Sequence, residues 1–133
     1  MKLKNLAAVI AFVFLVAACV SGPVTIPENL TVAELLQRGQ EAAERNRYTA
    51  AIQYYSTVIE RYPFDIDSIC AAEYEIAFIY YKQKNYDRAK TGFYNLLERY
   101  NVPDEEFLPP HFKILSNIVL AKIEEAESKR GGR

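Results

Sequence analysis

A chain of 133 residues, half of them hydrophobic and a quarter charged, has room for one domain with a modest core. Its 16 Lys and Arg against 17 Asp and Glu leave a net charge of −1, so no basic stripe can neutralise phosphates and nucleic acid is excluded as a partner class. With one histidine and two cysteines there is no triad and no metal-ligand spacing, hence no expected cofactor, metal or catalytic centre.

The chain opens on Lys2 and Lys4, runs uncharged from Leu6 to Ala18, and reaches Ala17-Ala18-Cys19. A basic start, a short apolar run and small residues at its end are the pattern of a signal peptide over 1–18. Val16-Ala17-Ala18-Cys19 also resembles a bacterial lipobox, which implies a diacylated Cys19 as first residue of the mature chain. A plain secreted protein or a membrane-anchored precursor would carry a similar run. Residues 19–30, with Ser21-Gly22-Pro23 and Pro27, read as lipidated Cys and extended tether.

The helical domain is expected over 31–130. Thr31 with Glu34 three residues on is a capping-box signature, so helix one should run over about 32–45. Its packing stripe, Leu35, Leu36, Gly39, Ala42 and Ala43, is thin enough for a close neighbour. After Asn46-Arg47 a second helix is expected over about 48–61, ended by Pro63. Asp65 or Asp67 could cap a third over about 69–83, which shows two adjoining stripes: Ile76, Ala77 and Tyr80 beside Tyr74, Phe78 and Tyr81. Lys84-Asn85 turns the chain into a fourth over about 86–100. Three prolines and Asp104-Glu105-Glu106 then mark a loop, and Pro110 suits the start of a fifth helix. Phe112, Leu115, Val119, Ile123 and Ala126 are its expected inner stripe, and with polar residues beyond Glu124 it reads as the end cap of a helix stack or as half of a third repeat whose partner helix is absent.

One pattern is written twice. Tyr48, Ala51, Tyr55, Val58 and Tyr62 are spaced 3, 4, 3, 4, and Tyr86, Ala89, Phe93, Leu96 and Tyr100 repeat them 38 positions later. That spacing sets five side chains on one helical face. The same shift relates Ala33 to Ala71, Leu36 to Tyr74 and Gly39 to Ala77, so the repeating unit is a helix pair. Ala51 and Ala89, in the middle of their aromatic stripes, are the expected close-contact positions against the helices carrying Gly39 and Ala77.

These residues resemble tetratricopeptide repeats: Gly39, Ala51, Tyr55, Val58 and Pro63, then Ala77, Ala89, Phe93 and Leu96, stand at that family's spacing. Asn101 takes the place of the second proline, and Arg38 a place usually aliphatic. The resemblance implies an all-α fold of two tetratricopeptide-repeat helical hairpins plus a C-terminal capping helix.

A narrower resemblance is to the BamD-like lipoproteins of the machinery that inserts β-barrels into the bacterial outer membrane. It rests on residues 46–52, on Glu60-Arg61-Tyr62-Pro63-Phe64, on residues 71–77 and on Asn85-Tyr86-Asp87-Arg88-Ala89. It implies a lipid-anchored, non-catalytic scaffold on the periplasmic face of the outer membrane. The implied partners are the barrel-insertion protein, other subunits of that complex and unfolded outer-membrane substrates. That family has about five repeats and this chain two and a cap, so an adaptor for another envelope complex, such as a transporter or the cell-wall machinery, is the alternative.

Most of the ten tyrosines fall on packing stripes, but Tyr74, Phe78 and Tyr81 form one more stripe than an amphipathic helix needs. With Ala33, Leu36, Gln40 and Ala43 they lie on the side that faces the concave groove in tetratricopeptide proteins. They either line a protein-binding groove or pack beneath a neighbouring helix. Cys70 reads as a small buried hydrophobe, and His111 as a polar residue at a helix start.

Overall fold

A computed structural model describes residues 23–101, 103 and 107–132. The expected leader over 1–18, Cys19 and the Asp104-Glu105-Glu106 turn lie outside the described residues. The rest is five α-helices: α1 (Val32–Glu44), α2 (Tyr48–Arg61), α3 (Ile66–Lys82), α4 (Tyr86–Glu98) and α5 (Pro110–Gly131), with a 3-10 turn over Arg99–Asn101.

Local chemistry sets the boundaries. The Thr31 hydroxyl accepts from the Glu34 amide while the Glu34 carboxylate accepts from the Thr31 amide at 2.8 Å, so the capping box is complete. α1 and α3 end alike. Asn46 and Lys84 take positive φ, 57° and 59°. Paired backbone bonds (Arg47 to Ala42 and Asn46 to Ala43; Asn85 to Tyr80 and Lys84 to Tyr81) close a Schellman motif at each end. α3 begins three residues before the sequence expectation. Asp65 is the cap, its carboxylate accepting from the Ser68 amide and hydroxyl, and this brings Ile66 into the first turn, where it packs on the second core. The last turn of the fourth helix tightens to 3-10, and the buried Tyr100 donates its hydroxyl to the Pro109 carbonyl at 2.7 Å.

The helices stack in chain order. α2 lies between α1 and α3, and α4 lies between α3 and α5, so each second helix of a pair is flanked by two first helices. Two cores result. Leu35, Ala51, Tyr55, Val58 and Ile79 belong to the first; Tyr74, Ala77, Phe93, Leu96 and Ile123 to the second. Ala51 and Ala89 are wholly buried, as their place in the stripes requires.

Two further positions leave no room for another carbon. A methyl added at Gly39 would stand 2.7 Å from the Tyr55 ring, and one added at Gly92 would stand 2.8 Å from the Ala77 methyl. The gap is thus supplied by α1 in the first pair and by α4 in the second. Tyr54, at the position equivalent to Gly92, is also buried, although it lies off the five-residue stripe.

Two elements depart from the sequence reading. Residues 23–30 do not run free: Val24, Ile26 and Leu30 pack on the first core. The Val24 amide donates to Gln53 Oε1 at 2.8 Å, Arg61 donates to the Pro27 carbonyl and Tyr62 to the Leu30 carbonyl. Apolar residues at 24, 26 and 30 give the segment a face to bury, and α2 side chains take up its amides and carbonyls. In α5 the inner stripe is rotated. Leu115 is 38% exposed, and the buried residues are Ser116, Val119, Leu120 and Ile123. Burying Val119 and Leu120 together fixes the rotation, and Ser116 is small enough to be carried inward with them.

Candidate interaction site

The site expected between α1 and α3 divides by depth. Tyr74 is 8% exposed and belongs to the core, where its ring packs 5.6 Å from Phe93 on one side and 5.6 Å from Phe112 of α5 on the other. Helix α5 therefore covers this part of the second stripe, as the alternative of packing beneath a neighbour requires. Ala43 is buried as well. Leu36 is half-buried against the first core, while Ala33 and Gln40 are exposed. Gln40 donates along its own helix to Glu44 at 3.1 Å and not across the groove.

From Tyr74 the rings continue outward. Tyr74 stacks on Phe78 at 5.8 Å, Phe78 lies 5.7 Å from Tyr81, and Tyr81 stacks on Tyr86 at 6.2 Å. The guanidinium of Arg130, from the last turn of α5, sits 5.3 Å over the Tyr86 ring. Phe78 and Tyr81 are half-buried, so the ladder is anchored in the core at one end and open along its middle. Such rings offer contact area with few torsions to freeze, the property of an anchor for a peptide or helix.

Charge beside the ladder was not read from the sequence. Burial pushes the Glu75 carboxyl above its ordinary 4.5, opposed by the Lys82 ammonium, which itself lies 5.4 Å over the Tyr48 ring. Burial also pushes the Tyr55 hydroxyl upward, with Glu75 and Glu44 adding to the effect. Glu73 and Glu75 flank Tyr74 in a run of Ala, Tyr and Ile, and carboxylates in such a run were the available signal. Arg38, the departure from the repeat pattern, lies in a polar cleft of about 450 Å³ with Glu34, Glu41, Arg45 and Arg47. That cleft opens between α1 and α2, and none of the expected groove residues lines it.

The remaining chemistry-bearing groups are structural. Cys70 is wholly buried, and burial pushes its thiol pKa up, away from the reactive range. Glu73 receives Arg99 through two 2.7 Å bonds, tying α3 to the end of the second pair, and Glu127 receives Lys90 at 2.8 Å, tying α5 to α4. His111 is exposed and lies 3.9 Å from Phe112, ring centre to ring centre. Among the described residues no group of three His, Cys, Asp or Glu could hold a metal ion, and no helix is long and apolar enough to cross a membrane.

Stacked helix pairs with a half-open aromatic face define a repeat scaffold, a class that works by contact and not by catalysis. Residues 33–65 and 71–100 match the tetratricopeptide repeat family, and the fold is all-α, built of tetratricopeptide-like helix pairs with a separate C-terminal helix. Over 113 residues the chain is 34% identical to an uncharacterized protein of Treponema pallidum (strain Nichols), covering 84% of this chain and 45% of that one. The chain thus spans less than half the length of that relative. No solved structure matches the chain.

Proposed function

We propose that the protein, an interaction module with the build of a scaffold or adaptor, serves as a lipid-anchored, periplasmic scaffold of the outer-membrane β-barrel assembly machinery. In this reading Cys19 carries the lipid, the barrel-insertion protein and other subunits are the partners, and unfolded barrel substrates are handled alongside them. The observation that carries the interaction surface is the aromatic ladder, whose half-buried Phe78 and Tyr81 are held in place by core Tyr74. The resemblance of residues 46–52, 60–64, 71–77 and 85–89 to BamD-like lipoproteins supports the choice of machinery.

Purification from detergent-solubilised membranes tests the assignment. The barrel-insertion protein should co-purify in amounts that survive washing. Recovery of a different envelope complex, with the barrel machinery intact in the same extract, would overturn it in favour of an adaptor role. For the anchor, Cys19→Ser should release the protein from membranes or leave its precursor unprocessed. A processed mutant that still partitions into membranes would place the anchor elsewhere.

A further inference from the structure

The first helix pair carries arginine at three positions where the second has uncharged residues. Shifted by 38, Arg38 falls on Ile76, Arg45 on Gln83 and Arg47 on Asn85. Ile76 packs on the first core, and Asn85 caps α4, its side-chain oxygen accepting from the Arg88 amide. Arg47 stands at the same point before α2 and its side chain makes no cap bond. A cation there also faces the positive end of the helix dipole. Local structure gains nothing from this arginine.

All three line the polar cleft of about 450 Å³ between α1 and α2, over the buried Ala42, Ala50 and Tyr54. They are exposed, and among the described residues none of their side chains makes a hydrogen bond or a close ion pair. The carboxylates of the cleft are engaged otherwise: Glu34 in the capping box with Thr31, and Glu41 as acceptor from Gln37 at 3.0 Å. The segment before α1 heads for this cleft. Followed toward the N-terminus, it runs back along α2 from Arg61, which donates to the Pro27 carbonyl, to Gln53, which accepts from the Val24 amide, in the direction of Arg47. Cys19 stands five residues before Val24, and no Asp or Glu precedes Glu28, so the N-terminal residues bring the arginines no carboxylate.

We infer that Arg38, Arg45 and Arg47 form a site for the phosphate of an anionic phospholipid headgroup, in the leaflet that holds the chain's own anchor. The inference rests on the lipid-anchored reading above but on no particular machinery. A guanidinium offers paired N–H donors that match two phosphate oxygens, and it stays charged when water is excluded. The cleft is wide enough to take the rest of a headgroup beside its phosphate. An anchor near Cys19 would keep headgroups at high effective concentration before the arginines, so contacts too weak to recruit the protein from solution still hold one face of it to the bilayer. Acyl chain and basic residues then act as two signals on the same side of the first helix pair. This surface is distinct from the aromatic ladder between α1 and α3, which stays free for a protein partner.

Native mass spectrometry of the full chain, released from maltoside micelles doped with equal amounts of phosphatidylglycerol and phosphatidylcholine, tests the site. The wild type should retain phosphatidylglycerol over phosphatidylcholine by roughly fivefold. Arg38→Gln, Arg45→Gln and Arg47→Gln together should abolish the preference with helical circular dichroism unchanged, since all three residues are exposed. Lys84→Gln, Lys122→Gln and Lys129→Gln, which remove as much charge from exposed positions outside the cleft, should leave it intact. Cys19→Ser should keep the preference whatever becomes of its membrane partition, which separates the site from the anchor. Equal retention of the two lipids by the wild type would overturn the proposal, as would a preference that survives loss of the arginines or disappears in the lysine variant or in Cys19→Ser. Displacement of the lipid by inorganic phosphate or by a pentaglutamate peptide at equal concentration would assign the cleft to a free anion or to an acidic protein segment instead.

Discussion

Ser116 is a hydroxyl carried into the core by its neighbours. Its side chain is wholly buried and its Oγ has no hydrogen-bond partner. An unsatisfied buried hydroxyl is unfavourable, and its removal leaves only a void the size of an oxygen atom. Ser116→Ala should raise stability by about 1 kcal/mol, read as a higher urea midpoint at unchanged slope; an equal or lower midpoint would mean that the hydroxyl is satisfied in solution. Glu75 offers a matching test in pH. A carboxyl whose folded pKa lies above its ordinary 4.5 binds its proton more tightly in the native state. The native state is then disfavoured increasingly as pH rises above 4.5, and the loss is complete above the folded pKa. Glu75→Gln should therefore stabilise the protein near pH 7 and give no gain at pH 4. A gain that did not vary with pH would show a cause other than ionisation.

At the scale of helices, the contacts that set spacing are those with no room for another carbon. Tyr55 is 2% exposed and its ring fills the space beside Gly39, so Gly39→Ala must displace a fixed aromatic. It should cost about 1–3 kcal/mol in urea unfolding, and Ala89→Leu, at a wholly buried stripe position, should cost a similar amount. An unchanged midpoint for either would show the helices sliding apart freely. The helix pairs themselves were legible because one pattern, written twice at a fixed shift, constrains both copies. Thr31 and Glu34 announced the first helix for the same kind of reason, since the cap is made by the residues that signal it. The rotation of α5 was not legible. Over 112–123 its apolar residues fall on more than one side, with Leu115 and Ile118 as apolar as Val119 and Leu120, so only the position of α4 and α3 decides which side is buried. The docking of residues 23–30 was hidden for a related reason: two prolines suggest an extended segment but say nothing of what lies beside it.

For the molecule as a whole, the candidate surface was half legible. The extra stripe on α3 marked an unusual face, but Tyr74 proved to be the floor of that face because Phe112 of α5 closes over it. A single helix gives no sign of which neighbour will arrive from 38 residues away. The corrected site predicts a split among aromatic substitutions. Phe78→Ala and Tyr81→Ala should weaken partner binding, each by about 2 kcal/mol if it acts as an anchor, with the helical signal kept. Tyr74→Ala should instead lower stability, by about 3 kcal/mol or more, as a core truncation does. Pull-down alongside thermal unfolding separates the two, and full binding by a folded Phe78→Ala, Tyr81→Ala double mutant would move the partner off this face.

The docking of Val24 beside Gln53 has a consequence for where such a scaffold can work. Between Cys19 and Val24 the chain has five residue steps, which span at most about 17–18 Å whatever path they take. If Cys19 carries the lipid, the leash is shorter than the roughly 21 Å length of α2 itself. The domain would then be moored broadside, with the flank of α2 that holds residues 23–30 kept next to the head groups and its rotation restricted. It could not sweep the periplasm for soluble clients. Its search would be a two-dimensional one along the bilayer, in which partners embedded in the same leaflet are met at high local concentration and distant ones are out of reach.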